Sequence, residues 1–363
     1  MKHPPYKTVA FSCRAQGDFQ QEWEHLAINT ITPNPFLSPS FLQELTRTFP
    51  SLQVSVVLTI DTLTQRAVAA LPVYSSREGI TAKTLKVPVS EYGPLGTLLV
   101  SEEATPHALN LLFEKAASLS KWPLLTLPYH AVDGTVPDLI RETAQTHNWR
   151  LASWLPQERA WQSSPPSSSS LPKRLRTYQR NLQSLGSVEF IQSQTPETVH
   201  TAFERFLALE ANSWKGRQGS ALLQRKQTTR FGRKIITTFA QSGQVQIHEL
   251  QLNRKVIASL ITLNQNGHVF TWKTAYDEAF AKFSPGRLLL HAVCLQTHQL
   301  DGFKGMDSLA NPDNHMVNVA FKNKFRYATI TLTKGTVPFC LAKEAEMKTR
   351  LKHSLKRVMK RKY

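Results

Sequence analysis

From residue 172 onward, apolar and polar positions alternate in a pattern that spells out an element order. A helical stripe runs over 172–185, with Pro172 suited to a first turn and Gly186 to an end. A strand over 187–192 follows, then helices over 196–212, opening on Thr195-Pro196-Glu197, and over 220–240. Three strand-like runs come next, 245–252, 256–263 and 268–275, separated only by Asn253-Arg254-Lys255 and Asn264-Gln265-Asn266-Gly267. Breaks this short and this rich in turn formers predict a β-meander. After Pro285-Gly286 the pattern returns to helix over 287–298, strand over 303–309, helix over 315–325 and strand over 328–333.

The first half is less sharply patterned. Strands are expected over 52–60 and 67–74, a helix over 102–120, a strand over 124–129, a helix over 136–148 and a strand over 150–155. The two halves meet at residues 162–170, two prolines among serines that offer nothing to a core. The expected organisation is therefore 1–161, a linker 162–170, a second domain 171–335 and a tail 336–363. A chain of 363 residues suits two domains, and 41% hydrophobic with 19% charged residues describes a chain that folds.

The three cysteines, Cys13, Cys294 and Cys340, lie far apart and form no CxxC pair, which suggests neither a disulfide framework nor a zinc site. No leader-like or membrane-length apolar run is present, so the expectation is a cytoplasmic protein. His291 and His298 share a helix face but lack a carboxylate or cysteine at ligand spacing, and they read as packing residues; no metal is expected. The net charge of +18 points to polyanionic partners, and nine lysines and arginines against two glutamates concentrate much of it in residues 343–363. There Met347, Leu351, Leu355, Val358 and Met359 form an apolar stripe among the cations. The tail is expected to be a basic amphipathic helix suited to an anionic membrane surface, RNA or an acidic partner, which would place the protein peripherally at the inner membrane face. A second basic run, KRLRTYQR at 173–180, sets Lys173, Arg176 and Arg180 on one helix face, either to hold phosphates or an acidic acceptor, or simply to face water.

Candidate chemistry concentrates in WKTAYDEAFAKFSPGRLLLH, residues 272–291. A strand-to-helix turn with Pro285-Gly286 at the helix start gathers free N–H groups and the positive end of the helix dipole, an arrangement suited to phosphate. Ser284, Pro285, Gly286 and Arg287 are thus candidate cofactor-binding residues, with Arg287 able to add a charge-assisted fork.

The wider segment IASLITLNQNGHVFTWKTAYDEAFAKFSPGRLLLHAV at 257–293, together with FLALEANSWKGRQGSAL at 206–222, the Asp307–Asn314 region and, more weakly, EWEHLAINTITPNPFLSPSFLQEL at 22–45, resembles the CelD-like, cellulose-biosynthesis-associated family of GNAT acetyltransferases. The architecture is also similar to the FemAB-like aminoacyl transferases, which duplicate the same fold. The resemblance implies an α/β protein of two tandem GNAT-like acyl-CoA N-acyltransferase domains with a basic C-terminal helix. It implies acyl-CoA, most simply acetyl-CoA, as co-substrate, and an amine or hydroxyl of a sugar, polyamine or glycan precursor as acceptor, in polysaccharide biosynthesis. The usual GNAT phosphate loop is absent, with Phe283-Ser-Pro-Gly-Arg-Leu288 in its place.

In that fold a backbone N–H of the last meander strand stabilises the oxyanion, here expected near Lys273, Thr274 and Ala275. Tyr276, Asp277 and Glu210 are candidate acid–base groups; equally, Tyr276 and Asp277 would cap the strand, and Glu210 would be a solvated carboxylate or a partner of Lys215 or Arg217. Trp214, Lys215 and Trp272 would shape an acceptor pocket or serve as core and rim, and Asp307 and Asp313 would bind acceptor or close turns. Two further readings stand beside acyl-CoA transfer: transfer from aminoacyl-tRNA, and a non-catalytic scaffold in polysaccharide assembly.

Overall fold

A computed structural model describes residues 5–77, 83–163, 171–314, 317, 321 and 323–360, without the side chains of 83 and 352–360. The chain divides into two compact units, one of residues 1–157 with 326–363 and the other of residues 158–325. The Ser/Pro stretch is therefore not the place where the chain changes unit, and its residues 164–170 lie outside those described.

The first unit comprises β1 (Tyr6–Ser12), α1 (Asp18–Ile28), α2 (Pro39–Thr48), β2 (Ser55–Asp61), β3 (Ala67–Arg77), β4 (Lys83–Lys86), β5 (Leu99–Val100), α3 (Pro106–Ala117), β6 (Leu124–Ala131), α4 (Thr135–Thr146) and the start of β7 (Arg150–Gln162). The turn into α2 shows how its sequence builds structure. Asn34 and Ser38 each accept an N–H beyond themselves, Pro35 and Pro39 occupy first-turn positions where a missing N–H costs nothing, and Phe36 and Phe41 meet edge to face at 5.2 Å, fully buried.

The second unit contains α5 (Lys173–Gln183), β8 (Val188–Ser193), α6 (Pro196–Ala211), the single turn α7 (Trp214–Arg217), α8 (Lys226–Gln241), β9 (Val245–Leu252), β10 (Lys255–Gln265), β11 (His268–Tyr276), α9 (Pro285–Thr297) and β12 (Gly305–Asp307). Its strands run in the order β12-β11-β10-β9-β8, and Trp161 and Gln162 at the end of β7 pair with β12. The meander is tight because Asn253, Arg254, Asn266 and Gly267 all take positive φ, the conformation that two-residue hairpin turns require. Leu175 and Leu182 of α5 and Leu288, Leu289 and Val293 of α9 join a core over one face of these strands. On α6, Val199, Phe203, Phe206 and Glu210 are buried at helical spacing, and Arg205 grips Glu249 of β9 through two hydrogen bonds of 2.7 and 2.8 Å.

The final strand, β13 (Asn323–Thr333), corrects the expected organisation. Residues 328–333 were assigned to the second domain, yet Tyr327–Thr333 pairs antiparallel with β6 of the first unit. Its alternating apolar side chains are satisfied there. The last helix, α10 (Thr336–Lys360), also belongs to the first unit, with Ala342, Ala345 and Glu346 buried and Phe339 under the Arg150 guanidinium at 5.1 Å. The helix expected over 315–325 falls mostly outside the described residues, and 323–325 are strand. No helix among the described residues is long and apolar enough to cross a membrane.

Candidate active site in the second unit

The site forms where β11 loses one of its neighbours. β12 runs parallel to β11 only from His268–Gly305 to Phe270–Asp307, and Thr271 closes the junction by donating to the Ser308 carbonyl. On its other side β11 stays paired with β10 to Tyr276, after a register shift that leaves Trp272 without an opposite residue. Residues 272–276 therefore have one paired and one unpaired edge.

The register determines which groups face the unpaired edge. The Asp277 N–H donates to the Ile257 carbonyl at 2.8 Å, so 277, and by alternation 275 and 273, direct their backbone groups to β10. Thr274 and Tyr276 direct theirs the other way. The Thr274 carbonyl confirms this, because it accepts the Lys215 ammonium at 2.7 Å. Of the three residues expected to supply an oxyanion donor, Lys273 and Ala275 are turned to β10, and Thr274 is the one on the open edge.

Lys215 reaches that edge from α7. Its ammonium lies 3.4 Å from Oε1 of Glu210, whose Oε2 accepts the Leu222 N–H at 2.9 Å. Glu210 is 1% exposed, so it is not a solvated carboxylate, and with both oxygens occupied it holds Lys215 and residue 222 in place. The α7 turn is tied a second time by Glu278, which accepts the Trp214 N–H at 2.8 Å and the Arg217 guanidinium at 2.6 Å. Sequence reasoning passed over Glu278; its place directly after Tyr276-Asp277 was the available signal. The expected helix over 220–240 starts instead at Lys226, because residue 222 is drawn to Glu210.

This arrangement depends on Gly216. A Cβ there would come within 1.7 Å of the Ala211 carbonyl oxygen, which is backbone at the end of α6 and cannot swing aside. Gly216→Ala is expected to cost about 1–3 kcal/mol and to speed amide exchange across 214–222. An unchanged unfolding midpoint would contradict the close approach.

The remaining candidates separate clearly. Asp277 accepts Lys255 at 2.8 Å and the Ala279 N–H at 3.0 Å, and the Lys255 hydrogen bond holds its carboxyl below the ordinary value, as suits a cap and not a proton acceptor. Tyr276 is half-buried against the α5–α9 core, and its hydroxyl has no partner among the described residues. Trp272 is buried in the strand, whereas Trp214 is 41% exposed. Asp307 is buried and accepts the Leu309 N–H at 2.8 Å, and Asp313 is exposed in a turn closed by Asn314 and Asn311.

The helix start lies where the Pro-Gly signal placed it. Ser284 adopts φ 49°, and Pro285 is the first residue of α9, two before the expected start. The N–H groups of Arg287 and Leu288 both turn to the Ser284 carbonyl, while that of Gly286 has no acceptor among the described residues. Arg287 is half-buried, and its guanidinium has no described partner. The exposed Lys173, Arg176 and Arg180 ride on α5, which packs on the Phe280–Phe283 turn and on α9. Among the described residues no group of histidine, cysteine and acidic side chains could hold a metal ion. His291 is buried in α9, and His298 pairs with Gln162 and Phe303.

Residues 169–322 match the family model described as acetyltransferase (GNAT) domain. The matched stretch lies wholly within the second unit. Over both units the chain is similar in fold to several solved structures. They include a conserved protein of unknown function from Bacteroides thetaiotaomicron (TM-score 0.55, 10% identity, 87% of this chain and 96% of that one). The C-terminal domain of a putative lysylphosphatidylglycerol synthetase from Agrobacterium fabrum gives 0.55, 9%, 90% and 95%. FemX gives 0.55, 9%, 91% and 99%. At such identities the likeness is one of fold. No curated protein matches the chain in sequence.

Proposed function

We propose that the GNAT domain transfers an acyl group, acetyl being the simplest, from acyl-CoA to an amine or hydroxyl of a small acceptor such as a glycan precursor. The observation that carries this reading is the parting of β11 from β12 beyond Phe270 and Asp307, which turns the Thr274 and Tyr276 amides to an unpaired edge. The donor's thioester supplies the activated acyl carbon. The chain supplies N–H groups for the charge that develops on its oxygen and the free hydroxyl of Tyr276 as a proton source for the departing sulfur. Lys215, held by Glu210, puts a positive charge at the same edge. The start of α9, with the unmatched Gly286 amide and the Arg287 guanidinium, suits the donor's phosphates. The motif's resemblance to the CelD-like family supports a glycan-precursor acceptor and a cytoplasmic location, and the basic stretch of α10 suits an anionic membrane surface.

Calorimetry with CoA tests the proposal. Saturable binding below ~1 mM is expected, with Arg287→Ala weakening it about tenfold through loss of a charge-assisted contact. Absence of binding to CoA, together with salt-sensitive binding of charged tRNA weakened by removing Arg176 and Arg180, would replace this reading with aminoacyl transfer.

A further inference from the structure

The first unit contains a cavity of about 340 Å³ that the proposed transfer does not use. It opens where the sheet is interrupted. Ala328 pairs with His130 and Ile330 with Leu127, so β6 carries an extra residue opposite Thr329. Tyr129 and, on β7, Leu155 take φ of 50° and 51° although neither is glycine, and both line the cavity. Such backbone costs on the order of 1–3 kcal/mol per residue and is retained where the surroundings enforce it.

The lining is one-sided in chemistry. Arg77 at the end of β3 and Lys86 at the end of β4 contribute two positive charges, and no aspartate or glutamate is among the described lining residues. Trp154 also lines it; the residue is 4% exposed, and its indole N–H is buried without a hydrogen-bond partner. An indole N–H only donates, so it calls for an acceptor oxygen, which none of the described residues provides. Tyr129, Thr329 and, from α10, Thr349 add hydroxyl-bearing residues to the lining, Thr349 donating to the Ala345 carbonyl at 2.9 Å and keeping its acceptor capacity.

We propose that this cavity binds a small phosphorylated polyhydroxy compound of the sugar-phosphate class. Two cations match a phosphate dianion better than a single carboxylate, the hydroxyl-bearing wall matches a hydroxyl-rich body, and the volume lies within the range of about 300–1,000 Å³ typical of small-ligand sites. The site stands on the first unit alone and is independent of the transfer proposed for the second.

Titration of the full chain with glucose 6-phosphate, glucose and inorganic phosphate, read by calorimetry and tryptophan fluorescence, tests it. Glucose 6-phosphate is expected to bind saturably below ~1 mM, with glucose at least about tenfold weaker. Arg77→Ala and Lys86→Ala, both at positions outside the core, are each expected to weaken binding about tenfold. Trp154→Phe, which keeps the ring and removes the donor, is expected to weaken it several-fold. CoA binding should be unchanged in the Arg77 and Lys86 variants, which separates this site from the second unit's. The proposal is overturned if glucose 6-phosphate fails to saturate, if glucose binds equally well, or if the double Arg77→Ala, Lys86→Ala variant binds like the parent chain.

Discussion

Glu210→Ala is expected to cost the second unit about 3 kcal/mol of stability, the lower end of what removing one partner from a buried ion pair costs. The side chain is 1% exposed and makes two different attachments, to the Lys215 ammonium and to the Leu222 N–H. Alanine removes both. It leaves a buried amide without an acceptor and an ammonium with only the Thr274 carbonyl, while the volume of the lost carboxylate becomes void. The loss stays at the lower end because Lys215 is 21% exposed and can recover some hydration. Glu210→Gln is expected to cost clearly less, since its carbonyl oxygen can still accept from Leu222 and the volume is kept. Urea unfolding of the two variants separates these effects; an alanine variant within ~0.5 kcal/mol of the parent would mean that the carboxylate carries no structural load.

The same residue shows what a sequence makes legible and what it does not. Glu210 and Lys215 lie five apart, about 140° round a continuous helix, so helical periodicity alone does not bring them together. α6 in fact ends at Ala211, and α7 turns Lys215 back beneath it, a geometry set by the close contact of Gly216 with Ala211. The meander was legible because its turns are local, with Asn253-Arg254 and Asn266-Gly267 leaving no alternative to hairpins. The α9 start was legible for the same reason, since Pro285 belongs in a first turn. The partner of β13 was not: its apolar alternation fits any sheet, and only the three-dimensional pairing with β6 assigns it to the first unit. β1 was missed because Tyr6–Ser12 is only half-buried and offers little contrast between its faces. Thr274 was singled out with its neighbours, but its orientation depends on the register shift at Trp272, which no periodicity records.

Acid is expected to destabilise both units well above the pH at which their carboxylates titrate, and histidine burial is the cause. His130 is fully buried in the first unit, with Nδ1 against the Ala131 carbonyl at 2.7 Å and Nε2 without a partner. Burial drives its pKa from 6.5 to about 4, against a smaller opposing effect of that carbonyl. In the second unit burial likewise takes His248 to about 4, and burial followed by the Lys304 charge takes His268 to about 4. Each stays neutral in the folded protein down to about pH 4, whereas the unfolded chain protonates it near pH 6.5. Between those values the unfolded state binds more protons, so stability falls as pH falls, by up to about 3 kcal/mol per histidine. The ion-paired carboxylates Asp133, Glu204 and Asp277, all held below their ordinary values, contribute stability that is lost only at lower pH still, as each protonates. Urea unfolding between pH 7.5 and 4.5, with amide exchange resolving the units, should therefore show a declining free energy that begins near the unfolded histidine pKa. His130→Gln should flatten the first unit's pH slope by up to one proton and leave the second unit's unchanged. A free energy level from pH 7 to 5 in either unit would mean that its histidines protonate without unfolding, and so are not sealed in the interior.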